Sequence, residues 1–62
     1  MDLAEARDHV NESVVYQPPG GGAHEDGVIT SVSGRFVFVR YRSQHPLASG
    51  QATPPESLTL TH

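Results

Sequence analysis

The sequence predicts a mainly β fold: a small SH3-like barrel of about five antiparallel strands, with a short N-terminal helix and a 3₁₀ turn before the last strand. Three observations carry this. Two runs rich in β-branched and aromatic residues, 27–32 and 35–42, flank a Ser-Gly pair and read as a hairpin. Prolines and glycines gather between the other short apolar runs. Residues 2–10 carry apolar positions at helical spacing.

The elements follow in chain order. Residues 2–10 form a helix of about two turns, with Asp2 placed as its cap and Glu5, three residues on, completing a capping-box pair. Leu3, Ala6 and Val10 share one face, and Asn11 suits a left-handed stop. So short a helix is not stable alone and must dock that face on something. Residues 13–17 make the first strand, ended by Pro18 and Pro19, which cannot donate to a ladder. A ten-residue loop with four glycines, residues 18–27, leads to the second strand, 27–32. Ser33-Gly34 is the tight turn before the third, 35–42, with glycine supplying the positive φ. Ser43 opens a second loop, 44–50, which Pro46 breaks. Residues 51–53 form a short fourth strand. Pro54-Pro55-Glu56-Ser57 reads as one turn of 3₁₀ helix, because two prolines fix φ and block a ladder. Residues 57–61 close as the fifth strand, with Leu58 and Leu60 on one face. The chain thus divides into residues 1–12, the helix, and 13–62, the barrel domain. Closure of the barrel removes edges that a flat sheet exposes. The competing architecture is an open, twisted antiparallel sheet with the helix on one face.

Sixty-two residues make one small domain, with seven acids, four bases and a net charge of −3. That total argues against binding nucleic acid by bulk charge. Three of the four bases, Arg35, Arg40 and Arg42, nevertheless fall within eight residues of one strand and its hairpin. Without cysteine there are no disulfides or thiolate metal sites, which fits a reducing compartment. No apolar run approaches the roughly 20 residues of a membrane span. The N-terminus is acidic rather than basic, unlike a signal peptide. A cytoplasmic location without membrane contact is the expectation.

The third strand carries most of the functional information. Side chains alternate across a strand, so Phe36, Phe38, Arg40 and Arg42 share one face and Val37, Val39 and Tyr41 the other. The uncharged Val-Val-Tyr face is the core candidate. Ile29 is expected to join it, which needs an odd-numbered hairpin loop; a two-residue Ser33-Gly34 loop would instead put Val28 in the core. Phe36 and Phe38 then lie outside, beside arginines, and a bare patch of that kind calls for a cover. Three covers are open: the helix through Leu3, Ala6 and Val10, a second copy of the chain, or a foreign partner. Aromatics beside arginine on a β face also suit stacked bases and phosphates, so single-stranded nucleic acid is an alternative ligand.

Other chemistry is sparse. None of the four histidines, His9, His24, His45 and His62, shows paired ligand spacing, although His24, Glu25 or Asp26 and His45 would be the set from which a two-loop zinc site could be drawn. Gly20-Gly21-Gly22 is not followed by Gly-Lys-Ser/Thr and is no phosphate loop. The serines lack a nucleophile elbow, and adjacent Glu25 and Asp26 suit a solvated loop better than acid/base work. No enzyme activity, metal or cofactor is expected.

Glu25-Asp26-Gly27-Val28-Ile29-Thr30-Ser31-Val32, then Arg35-Phe36-Val37-Phe38-Val39-Arg40-Tyr41, with the tail Gln51-Ala52-Thr53-Pro54-Pro55-Glu56-Ser57-Leu58, resembles a group of small proteins of tailed phages and prophages. This chain departs from that pattern at Pro54, where a basic residue is expected, and at Ser57, where an acid is expected. The Gly-Val-Ile-Thr-Ser-Val hairpin also looks like that of Tudor and KOW modules. The resemblance implies a phage origin and the host cytoplasm, and brings no functional residues with it. The reading from the residues is a non-catalytic binding module for a phage or host protein. Its candidate contact residues are Phe36, Phe38, Arg40, Arg42, His24, Glu25, Asp26 and His45. Nucleic-acid binding and a structural homo-oligomer, a homodimer in the simplest case, are the alternatives.

Overall fold

A computed structural model describes residues 1–44 and 49–61. Helix α1 (Leu3–Asp8) precedes strands β1 (Ser13–Tyr16), β2 (Glu25–Ser33), β3 (Phe36–Tyr41) and β4 (Gln51–Thr53), a 3₁₀ turn (Pro55–Ser57), and β5 (Leu58–Leu60). The five strands are antiparallel and form one open sheet of order β4-β3-β2-β1-β5. The helix, the five strands and the 3₁₀ turn appear in the order the sequence predicts. Both ends of the sheet are short strands of three residues, and Pro54 and Pro55 stand between them. Short edges flanked by proline offer little template for another strand. The N-terminal ammonium of Met1 donates to the carbonyls of Pro55 and Leu58, at 3.2 and 3.1 Å, and ties the chain start to this turn.

Local chemistry sets the limits of α1. Asp2 caps it, its Oδ1 accepting the Glu5 N–H at 2.8 Å. Asn11 then takes the left-handed conformation, at φ 73°. That turn brings Asn11 and Glu12 alongside β2. Asn11 N–H donates to the Ile29 carbonyl at 2.7 Å, and Ile29 N–H to the Glu12 carbonyl at 3.2 Å. The helix is therefore anchored at its exit and lies against the sheet through fully buried Ala6, with Leu3 and Val10 beside it. It packs on the Val37/Val39 side. Helix cover of Phe36 and Phe38, one of the three covers considered above, does not occur.

The inward face is the one expected. Val14, Ile29, Val37, Val39 and Leu58 are all buried, with Tyr41 and Thr53 among them. Each such aliphatic side chain contributes about 1.5–3 kcal/mol relative to exposure. Ile29 reaches this face by a different route from an odd-numbered loop. The turn has two residues, Gly34 and Arg35, between paired Ser33 and Phe36. Gly34 alone has positive φ, at 59°, as a II′ turn requires at its first central position. The register then shifts between Ile29 and Ser31, so Ile29 faces Val39 while Ser31 faces Phe38. Thr30 is the extra residue of a β-bulge. A two-residue turn plus one bulged residue has the same parity as a three-residue loop, and Val28 faces outward. Thr30 Oγ1 holds the bulge by donating to the Phe38 carbonyl at 3.0 Å.

Several boundaries differ from the sequence reading. The helix is shorter at both ends, because Asp2 is the cap and His9 already closes the last turn. The first long loop is shorter too, since β2 begins at Glu25 and pairs that residue with Tyr16. Arg35 belongs to the turn rather than to the third strand, and Arg42 lies just past it. Most of the second loop, including Pro46, lies outside the described residues.

Candidate functional site

The outward face is built by the alternation that buries the inward one. Along β3 it presents Phe36, Phe38 and Arg40, and the row continues to Arg42. Across the ladder, Val28 stands opposite Arg40, and Ser13 opposite Val28. Arg42 N–H donates to the Asp26 carbonyl at 2.9 Å and carries the β2–β3 pairing past the end of the strand. On the far side, Thr61 bonds the Ser13 carbonyl through both its N–H and its Oγ1, at 3.4 and 3.2 Å.

Together these residues enclose a cleft of about 430 Å³, lined by Ser13, Asp26, Val28, Arg40, Arg42 and Thr61, with Gln44 at its margin. Gln44 is held there by its Oε1, which accepts the Tyr41 N–H at 2.8 Å. A shallower recess of about 280 Å³ adjoins, lined by Glu25, Asp26, Arg42 and Ser43. Ser43 Oγ donates to Glu25 Oε1 there, at 3.4 Å. Among the described residues, two arginines and one aspartate line the main cleft, a local balance opposite in sign to that of the whole chain.

Comparison with protein-family models, curated proteins and solved structures finds no match to this chain.

The candidate residues read from the sequence divide into three sets. Arg40, Arg42 and Asp26 come together in the cleft, with Glu25 in the adjoining recess. Phe36 and Phe38 continue the same row without lining the cleft. Phe36 is 43% exposed, whereas Phe38 is half-buried, so the aromatic patch is smaller than two bare rings. Gly50 stands against Phe38: a Cβ placed there would lie 3.1 Å from Phe38 Cβ and 2.5 Å from Thr30 Oγ1. His24 is exposed just before β2 and lines neither recess. His45 lies outside the described residues. Among the described residues, no group of three or more histidines, acids or cysteines is placed to hold a metal ion, and no helix is long and apolar enough to cross a membrane.

Ser13, Val28, Gln44 and Thr61 escaped the sequence reading. Val28 was legible as the alternative to Ile29 in the hairpin. Thr61 and Ser13 meet across 48 positions of chain, a pairing that no local pattern announces.

Tyr41 backs the cleft from the inward side. Its ring meets Tyr16 edge-on, with centroids 5.9 Å apart at 69°, and its hydroxyl shares a 2.8 Å hydrogen bond with Thr53 Oγ1. Burial pushes the phenol above the ordinary value of 10.0; Tyr16 and Glu25 add to the shift, and the Thr53 bond opposes it. The folded state thus favours the neutral ring, while an unfolded tyrosine ionises first. The resulting stability is intact below the unfolded value and is lost as pH rises through the folded one. The stability of the parent to urea should fall progressively above about pH 10. Tyr41→Phe should lose about 1 kcal/mol at neutral pH and show a flatter alkaline decline. Equal alkaline slopes in the two proteins would remove Tyr41 as the source.

Proposed function

We propose that this chain is a non-catalytic binding module of SH3-like build, of phage type, acting in the host cytoplasm on a phage or host protein. The observation that carries the reading is the placement of α1. It occupies the inward face and leaves the outward row from Phe36 to Arg42, and the cleft beside it, to something else. A half-exposed phenylalanine in line with arginines suits an interface, where aromatic and arginine side chains are enriched and carry much of the energy. The two sheet edges are short and flanked by proline, which favours contact through the face over strand addition.

The experiment pairs two proteins, the parent and Phe36→Ser/Arg42→Glu. Both positions are exposed, so the double variant should keep the parent's circular dichroism and lie within about 0.5 kcal/mol of its stability per site. Cross-linking capture from host lysate should recover a partner with the parent and lose it with the variant. Recovery of the same partner by both proteins would reject the face as the contact surface. Sedimentation of the parent alone as a dimer, broken by the same substitutions, would replace the reading with a homo-oligomer.

A further inference from the structure

The structure assigns a chemistry to the occupant of the outward face: an extended peptide segment that is acidic at one end and apolar at the other. This rests on the binding-face reading above and names the partner's character. Phe36, Phe38 and Arg40 alternate along β3, each about 6.6 Å from the next, and Arg42 follows just past its end, so the row is about 20 Å long. Six residues of extended chain span the same length. The row is graded, apolar at the turn and cationic at the cleft.

Charge complementarity decides what the cleft end takes. The chain has four bases in all and a net charge of −3. Two of those four line this one cleft, and among the described residues Asp26 is the one acid that lines it with them. Guanidinium groups bind carboxylates by charge-assisted, often bidentate hydrogen bonds, which are stronger than neutral ones. Val28 and Ser13 also line the cleft and add an apolar and a hydroxyl side chain to its chemistry.

A nucleic-acid strand fits less well. Its backbone carries a charge at every nucleotide and would run from the arginines onto Asp26 and Glu25, over a molecule of the same sign. A peptide can place one or two carboxylates at the arginines and keep the remainder neutral. Its apolar end then covers Phe36.

The test is a display selection of random decapeptides on the immobilised 62-residue chain. Selected peptides should be enriched in Asp or Glu, with an apolar residue a few positions away. By fluorescence anisotropy, a selected peptide should bind about tenfold more weakly to Arg40→Gln/Arg42→Gln than to the parent. The same loss should follow when its acids are changed to amides. Circular dichroism of the variant verifies its fold, and Arg42→Gln alone serves if the double change disturbs it. Selection of purely apolar or basic peptides that Phe36→Ser abolishes would overturn the acidic assignment and leave the binding face standing. So would acidic peptides indifferent to both arginines. Selection of no peptide at all would overturn the inference, and tight binding of labelled oligothymidine that Arg40→Gln/Arg42→Gln abolishes would in addition replace the protein partner by nucleic acid on the same face.

Discussion

Ile29→Ala should remove about half of the domain's stability. Ile29 is fully buried among Val14, Val37, Val39 and Leu58, and it is one of the largest side chains completely enclosed in the core. Truncating a buried isoleucine costs about 2–5 kcal/mol, from the lost transfer energy plus the cavity left behind. A domain of this length has a total stability of only about 3–9 kcal/mol. No disulfide makes up the difference, because the chain has no cysteine. The position is also structural in its backbone, since its N–H and carbonyl hold the Glu12–Asn11 exit of α1. A poorly seated residue 29 therefore loosens the helix that closes the core. Urea unfolding followed by circular dichroism measures the effect, with Phe36→Ala as the exposed comparison on the opposite face. An Ile29→Ala curve within about 1 kcal/mol of the parent would reject the core assignment.

Much of this arrangement was legible in the sequence, and the reason is periodicity. A period of two along residues 36–41 fixed which side chains of β3 face in, whatever the neighbouring strands did. Asp2 marked the helix start because capping is local chemistry, and Asn11 takes its expected left-handed conformation two residues beyond His9, which closes the helix. The bulge at Thr30 was not legible. Nothing about a threonine in a β-branched run says that it is the unpaired residue. Only the demand that Ile29 be buried, together with a two-residue turn at Gly34-Arg35, requires an extra residue somewhere. For the same reason the sequence could name Arg40, Arg42 and Asp26 as candidates without showing that they share a cleft. That cleft exists because β1 pairs with both β2 and β5, and so brings Ser13 and Thr61 beside Val28. Such contacts between distant segments are set by packing of the whole sheet. The direction in which α1 folds back was likewise open, since its Leu3–Ala6 stripe would fit either apolar surface. In the structure Ala6 packs on the valine face, and the backbone bonds of Asn11 and Glu12 with Ile29 of β2 hold the helix exit beside it.

Gly27→Ala should be the other severe change, and it links the core to the cleft. Gly27 sits in β2 opposite Tyr41 and Val14, on the inward face, where Val39 and Tyr41 close over the space a side chain would fill. A Cβ there would stand 2.5 Å from Val39 Cγ1, 3.0 Å from Tyr41 Cδ1 and 3.1 Å from the Arg40 carbonyl oxygen. Overpacking of this kind costs about 1–3 kcal/mol. The nearest clashing atom is a side-chain methyl, so a second substitution tests the cause. Val39→Ala removes that methyl, and Gly27→Ala/Val39→Ala should be less destabilised than the sum of the single changes by about 0.5–3 kcal/mol. Relief stays partial, because the Arg40 carbonyl remains close. Strict additivity would show that the alanine is accommodated elsewhere. The same substitution reaches the outward face through the backbone: Gly27 lies between Asp26 and Val28 and is paired beside Arg40, and all four residues border the cleft. Relieving the clash by moving β2 off β3 would spread Asp26 and Val28 away from Arg40 and Arg42. Gly27→Ala should therefore weaken binding of a selected acidic peptide even at temperatures where the variant is fully folded, and adding Val39→Ala should restore part of that affinity.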